Sequence, residues 1–518
     1  MHLGIDFGTT RTAVACADRG NHPVVTFSDA GGDPLPWIPT LVAERDGELR
    51  YGLDAAAVAG DPSFHVVRSF KRLLGAFHGG AEPSARVGGR EVPVGELMAG
   101  FLGHVREALS TRSDVRRSLS RSDGPLVAAV AVPAHAHGAQ RLVTLDAFRR
   151  AGFEPRVMLN EPSAAGFEYT HRHRDTLSSR RDLVLVYDLG GGTFDASLVR
   201  MSGRHHDVLG TAGLAQLGGD DFDAVLLDLV VDRLGLRAAS LEPGAAQRML
   251  DACRTAKEHL GPSSRKVTLD VEGALGAAAP RPEVTLPVAE FYEACAPLVE
   301  RTVEAMRPLV TRLGAEADAP DLAEVAGLYV VGGASELPVV ARTLRGRFGR
   351  RVHRSPYPAA AVAIGLSIAS DAASGFELTD RYGRTFGVFR EAEGGSEVTF
   401  DPIFTPDTEV PGAAGGRLER TRTYRAAHNV GHFRFFECSA FDERGRPRGD
   451  MALFGDVRFP FDARLRGTAD LASVRVERSG DRGPQVTERY CLDDRGMVDV
   501  AIRDQDSGYE RSFRLGRL

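Results

Sequence analysis

Ten residues, Val186-Tyr187-Asp188-Leu189-Gly190-Gly191-Gly192-Thr193-Phe194-Asp195, bring together two acids, three glycines and a hydroxyl. Glycines let a backbone turn tightly and approach a bulky anion. Thr193 offers both a hydroxyl and an amide to phosphate oxygens. Asp188 and Asp195 would repel a bare phosphate, but they suit a magnesium ion that reaches phosphate largely through water. The combination points to a metal-bound nucleotide. A glycine-rich hairpin with two solvated acids would have the same spelling, so a second signal matters. It stands near the start, where Leu3-Gly4-Ile5-Asp6-Phe7-Gly8-Thr9-Thr10 repeats the order of strand, acid, glycine turn and hydroxyls. Two such hairpins facing each other would clamp one nucleotide between two lobes. The repeat implies a duplicated domain, with halves starting near residues 1 and 183.

These turns need strands before them and helices behind them. The apolar run 183–187 reads as a buried strand. Leu217-Gly218-Gly219-Asp220 opens a helix running through Leu234, and a glycine pair at a helix start is a ready anion site. Leu328-Tyr329-Val330-Val331-Gly332-Gly333-Ala334 is a strand running into two glycines, which let a backbone lie against a flat nucleoside. Further helices are predicted over 94–119, 138–151, 247–260 and 289–313, the second ending at Gly152. Leu126–Val132 reads as a strand ending at Pro133.

Composition excludes several classes. The chain has 518 residues, 43% hydrophobic and 26% charged, with a net charge of −6. That is ordinary for a soluble globular protein and gives no nucleic-acid footprint. Five scattered cysteines without a CxxC pair predict neither a disulfide framework nor a cysteine zinc site, and they fit a reducing cytoplasm. No apolar run reaches the ~18 residues of a membrane span. The first strand begins almost at Met1, so no signal peptide is expected. The three lysines, Lys71, Lys257 and Lys266, do not follow glycine, so a GxxxxGK[ST] phosphate loop is absent.

The first hairpin resembles the opening of the DnaK-type, seventy-kilodalton heat-shock chaperones, and the Asp188–Asp195 stretch resembles their second phosphate motif nearly letter for letter. The resemblance implies an α/β fold: a duplicated actin-like (ribonuclease H-like) ATPase domain of two lobes over 1–368. A linker, 369–378, and a smaller all-β, sandwich-like domain over 379–518 would follow. It implies ATP or ADP with Mg2+, slow hydrolysis of ATP to ADP and phosphate, and a cytoplasmic monomer. Extended polypeptide and co-chaperones or exchange factors would be partners, with neither nucleic acid nor membrane. In this picture Asp6, Asp188 and Asp195 organise magnesium and its waters. Gly8, Thr9, Thr10, Gly190, Gly191, Gly192 and Thr193 hold phosphates, and Gly218, Gly219, Asp220, Lys257, Gly332, Gly333 and Ala334 hold the rest of the nucleotide.

The family places a lysine where Lys71 stands in Val66–Gly75, aimed at the terminal phosphate and attacking water. Lysine in so arginine-rich a chain suggests a site where the two do not interchange. Glu161, in Leu159-Asn160-Glu161-Pro162-Ser163-Ala164-Ala165-Gly166, would face the metal cluster and place water. With Asp188 and Thr193 these form the implied catalytic set. Pro133 and Arg141 match positions of interdomain signalling. The chain departs from the family on the adenosine side at Arg254, Glu258, Ala334, Glu336 and Ala359, which implies relaxed or altered base recognition.

Residues 379–518 show short alternating runs at 386–389, 397–400, 424–427, 432–437, 473–477 and 497–502. Turn residues separate them, including Asp442-Glu443-Arg444-Gly445 and Asp494-Arg495-Gly496. The linker is less apolar than the family's leucine run, which predicts that coupling between the domains is weak or differently built. No room remains for a helical lid, so a bound ligand should exchange quickly. Two alternatives stay open: a nucleotide-regulated interaction protein with little or no hydrolysis, and an actin-fold small-molecule kinase.

Overall fold

Leu183–Leu189 is buried along its whole length. It pairs antiparallel with Phe194–Ser202 and parallel with Val325–Val331, inside a six-stranded sheet. A strand covered on both faces needs a continuous apolar sequence rather than alternation. In the computed structural model, which describes residues 2–76, 82–119, 124–237, 241–313, 324–412, 416–442, 444–479 and 482–516, the first motif has the same setting. Leu3–Phe7 pairs antiparallel with Arg11–Cys16 and parallel with Leu126–Val132. Phe153–Asn160 extends that sheet in parallel, as Val352–Arg354 extends the other. The repeated motif is thus a repeated topology, and the two sheets are the cores of two lobes.

Small residues bring the lobes together. Helices Glu161–His173 and Ala361–Ser370 cross between the sheets. A Cβ on Gly365 would lie 1.8 Å from the Ala164 carbonyl oxygen, and one on Gly4 would lie 2.3 Å from that of Ala363. The small run at 163–166 serves this crossing.

Helix boundaries follow local chemistry. The 138–151 helix is observed as Gly138–Arg150, and Gly152 takes φ +83° just beyond it. The predicted 94–119 helix stops at Thr111 and resumes as the single turn Arg116–Leu119. Hydroxyls intervene, with Thr111 bonding the Glu107 carbonyl at 2.9 Å and Ser113 bonding that of Leu109 at 2.6 Å. The 289–313 helix is observed as Val288–Ala305 followed by Arg307–Thr311, with Pro308 in the first turn of the second piece. The helix predicted over 247–260 is Pro243–Glu258.

The C-terminal region is a sandwich of two four-stranded antiparallel sheets. Glu397–Phe404, Thr385–Ala392, Val430–Phe441 and Pro447–Pro460 form one; Arg417–Arg425, Gln485–Asp493, Val498–Asp504 and Glu510–Arg514 form the other. Phe386, Phe404, Phe435, Phe454 and Tyr490 fill the space between them. Residues 473–477 are not a strand. Asn429 captures their main chain instead, accepting from the Glu477 N–H at 2.8 Å and donating to the Arg475 carbonyl at 3.0 Å, and Val476 is left exposed. The run at 424–427 likewise leaves its strand after Arg425. Glu443 lies outside the described residues.

Between the two units, Glu377–Thr379 adds as a parallel edge strand to His205–Leu214 of the second lobe. Phe376 packs edge-on against Phe167 and His206, and Leu378 packs into two lobe clusters. The leucine-poor linker thus docks through contacts other than a leucine run. One aromatic, one leucine and a three-rung ladder hold it. The sandwich itself rests on the first lobe, where Glu437 accepts from the Gly138 N–H at 2.7 Å. No helix among the described residues is long and apolar enough to cross a membrane.

Candidate functional site

The two hairpins face each other across a cleft. Strand ends supply the acids: Asp6 from Leu3–Phe7, and Asp188 directly opposite Asp195 in the second hairpin's register. Pro162 starts the helix that carries Glu161 in its first turn. The short helix Phe70–Ala76 brings in Lys71, whose ammonium donates to the Phe7 carbonyl and lies 3.4 Å from Glu161 Oε1. These groups come from four separate parts of the chain.

Burial and crowding raise the acids. Asp188 is 6% exposed and is held well above the usual carboxylate range, first by loss of solvent and then by Glu161, Asp6 and Asp195. Asp6 is pushed up to about 7 by burial and by Glu161, with Lys71 opposing. Glu161 is raised by burial, with Lys71 opposing. Crowded carboxyls short of positive charge are the donor set expected where a cation binds.

The residues fit a magnesium ion on a second ground. Asp195 Oδ1 accepts from the Ala134 N–H at 2.8 Å, while its buried Oδ2 has no partner. A buried carboxylate oxygen left without a donor needs an explanation. Among the described residues no three acid, histidine or cysteine side chains converge closely enough to ligate one ion directly. Carboxylates such as these suit magnesium, which usually keeps several of its waters. Asp6, Asp188 and Asp195 would hold it, and it would supply charge neutralisation at the phosphates.

Most predicted residues line the cleft: Asp6, Gly8, Thr9, Thr10, Lys71, Glu161, Asp188, Gly190, Gly191, Thr193, Gly219, Asp220, Lys257, Gly332, Gly333 and Ala334. Gly192 and Gly218 stand behind the surface, where a Cβ on Gly218 would lie 2.5 Å from the Gly192 amide nitrogen. They let two loops touch. Gly332 needs its glycine for a further reason, φ +86° beside Asp188. Neither Pro133 nor Arg141 lines the cleft, and Arg141 lies at the contact with the sandwich, beside Gly496. Arg141 donates to Asn160 Oδ1 at 2.6 Å, and Asn160 donates to Asp380 at 3.0 Å.

Sequence reasoning missed the ion pairs that cross the cleft. Arg11 of the first lobe reaches Glu258 at 2.9 Å and Glu336 at 3.8 Å, and its guanidinium lies 4.3 Å from the centre of the Trp37 ring. Arg68 pairs with Asp251 at 2.7 Å, and Arg72 with Asp221 at 3.1 Å. Within the second lobe, Arg254 binds Asp220 at 2.8 Å and Asp223 at 3.1 Å, while Lys257 binds Asp223 at 2.6 Å. The departures at 254, 258 and 336 each meet an opposite charge, Arg254 within the second lobe and Glu258 and Glu336 across the cleft on Arg11. Nothing in the sequence pairs them, because partners such as Arg11 and Glu258 stand far apart along the chain and meet only across the cleft.

A duplicated α/β unit with facing acid–glycine hairpins, joined to a β-sandwich, defines an actin-like ATPase with a β-rich C-terminal unit. The chain belongs to the Hsp70 family. The sequence model described as "Hsp70 protein" matches residues 113–387. The chain is 30% identical over 530 residues to the chaperone protein HscA homolog of Burkholderia multivorans, covering 99% of this chain and 78% of that protein. It is 33% identical over 534 residues to the chaperone protein HscA of Escherichia fergusonii, with the same coverage.

Proposed function

We propose that this chain is an ATP-dependent chaperone that binds magnesium-ATP between its lobes and hydrolyses it slowly. The observation that supports this most is the meeting of Asp6, Asp188, Glu161 and Lys71 in the cleft between two facing hairpins, with Asp195 buried behind them. Glycine-hairpin amides and Thr9, Thr10 and Thr193 would hold the phosphates. Lys71, fixed by the Phe7 carbonyl and Glu161, would stabilise charge that develops at the transferring phosphoryl group. Glu161 would orient water. Base and ribose would lie toward Gly332, Gly333 and Ala334, with Gly219, Asp220 and Lys257 across from them.

The sandwich would bind extended polypeptide, with the docked linker strand and Arg141 carrying the nucleotide state to it. Co-chaperones or exchange factors would act on the same cycle, in the cytoplasm, on a monomer. The domain limits we assign are 1–368, 369–378 and 379–518.

Single-turnover hydrolysis of magnesium-ATP, compared with Lys71→Ala, tests the reading. Turnover that the substitution abolishes supports it. A second reading, a nucleotide-set interaction protein with little hydrolysis, draws on the ion pairs that occupy the base end of the cleft. Tight ATP binding without turnover would favour it.

A further inference from the structure

A cleft tells one base from another with polar groups that only the right base pairs. A site built this way rejects the wrong partner by about 10⁴–10⁵-fold, because its buried groups are then left unpaired, whereas an apolar wall rejects by only about 10–200-fold. The base end of this cleft has its polar groups paired already. Arg11 lies across it, with Nη2 2.9 Å from Glu258 Oε2 and Nη1 3.8 Å from Glu336 Oε2. The guanidinium lies 4.3 Å from the centre of the Trp37 ring, and a Cβ on Gly333 would lie 3.7 Å from Nη1. One side chain of the first lobe thus reaches over the glycine turn of the second and holds both glutamates.

Behind the rim the same holds. Arg254 binds Asp220 and Asp223, and Lys257 Nζ lies between the Gly219 carbonyl at 2.7 Å and Asp223 Oδ1 at 2.6 Å. Ser335 is fully buried and turns its hydroxyl inward, donating to the Gly332 carbonyl at 2.6 Å. The Ala334 carbonyl accepts from the Leu337 N–H at 3.2 Å, and that of Pro358 from the Gly332 N–H at 2.9 Å. Among the described residues, Arg11, Arg254, Lys257, Glu258 and Glu336 have no buried polar atom without a partner, in contrast to the Asp195 oxygen at the phosphate end. A base entering here meets no group left open for it. The glutamates it must part from Arg11 are largely solvated, at 42% and 49% exposure, so that cost is small and nearly the same for every base.

We propose that the cleft takes a magnesium-bound nucleoside di- or triphosphate almost regardless of its base, and that Arg11 sets this indifference by keeping Glu258 and Glu336 occupied. The proposal deepens the nucleotide reading above and rests on it. Affinity then comes from the phosphate end. Freed of Arg11, the two carboxylates would accept from the amino groups of adenine, guanine or cytosine. Uracil carries a carbonyl in place of an amino group and offers them mainly lone pairs.

The test is calorimetric binding of ADP, GDP, CDP and UDP to the full chain in Mg2+. The four dissociation constants should fall within about 10-fold of one another, the low end of what walls without reading groups achieve. Arg11→Ala should open a preference for ADP over UDP, raising that ratio about fivefold as the carboxylate acceptors are released. The triple variant Arg11→Ala, Glu258→Ala, Glu336→Ala should return the ratio to its wild-type value, which a merely structural effect of losing Arg11 would not do. A wider spread in the unaltered chain, a ratio that Arg11→Ala leaves unchanged, or a preference that survives in the triple variant would each overturn the proposal. Binding of none of the four would overturn the nucleotide reading with it, whereas binding of ADP alone would leave that reading standing and overturn only the indifference.

Discussion

The two ends of the cleft are built on opposite principles. At the phosphate end, acids crowd together against one lysine and are left short of positive charge. At the base end every charged group that lines the cleft already has an opposite partner, and several of those pairs join one lobe to the other. The first arrangement is unfinished without a cation. The second is complete as it stands, so a nucleotide must displace or bridge pairs to settle there. The same cleft therefore invites one half of its ligand and resists the other.

The largest effect should come from breaking the phosphate end. Lys71→Ala is expected to slow single-turnover hydrolysis by about 10²–10³-fold while ADP affinity moves only severalfold. Equal loss in both would make Lys71 a plain anchor. At the base end, Arg11→Ala removes two cross-lobe pairs at once and should speed ADP release by about fivefold in stopped-flow chase experiments. Release from the unaltered chain should also quicken with added salt, because these pairs are partly solvated. Salt-insensitive release would mean that the pairs hold nothing.

Smaller effects sharpen the contrast. Burial raises Asp6 to about 7 and Asp188 above its usual range, so the folded, nucleotide-free chain binds protons that the unfolded chain has released. Its stability should fall as pH rises from about 4 through about 7. Asp188→Asn should then raise the melting temperature without nucleotide at pH 7.5 by about 3 °C and weaken the response to Mg2+. A lower melting temperature would show that the acids are not strained against one another. The mildest change is Glu336→Ala, whose pair spans 3.8 Å and is half exposed. Release should change by less than about twofold.

Much of this was legible before any coordinates. The strand–acid–glycine order occurs twice, so the hairpins and the two lobes could be read from their repetition. The charge network could not, because Arg11 and Glu258 are 247 residues apart and only the closed cleft makes them neighbours. In the sandwich, long strands such as Pro447–Pro460 mix charged and small residues with apolar ones and carry a bulge, so no clean alternation marks them. Conversely, residues 473–477 alternate but find a single asparagine before they find a strand.

The ladder between Glu377–Thr379 and His205–Asp207 also has a colloidal meaning. It covers one end of a sheet edge, and arginine side chains take the carbonyls that follow, Arg381 on Val208 and Arg312 on Leu209. Were the sandwich to depart and take that strand with it, the edge at His205–Asp207 would be offered to any strand nearby, including another copy of this chain. Self-association that depends on concentration should thus track release of the linker, and the docked arrangement is also the one that keeps copies apart.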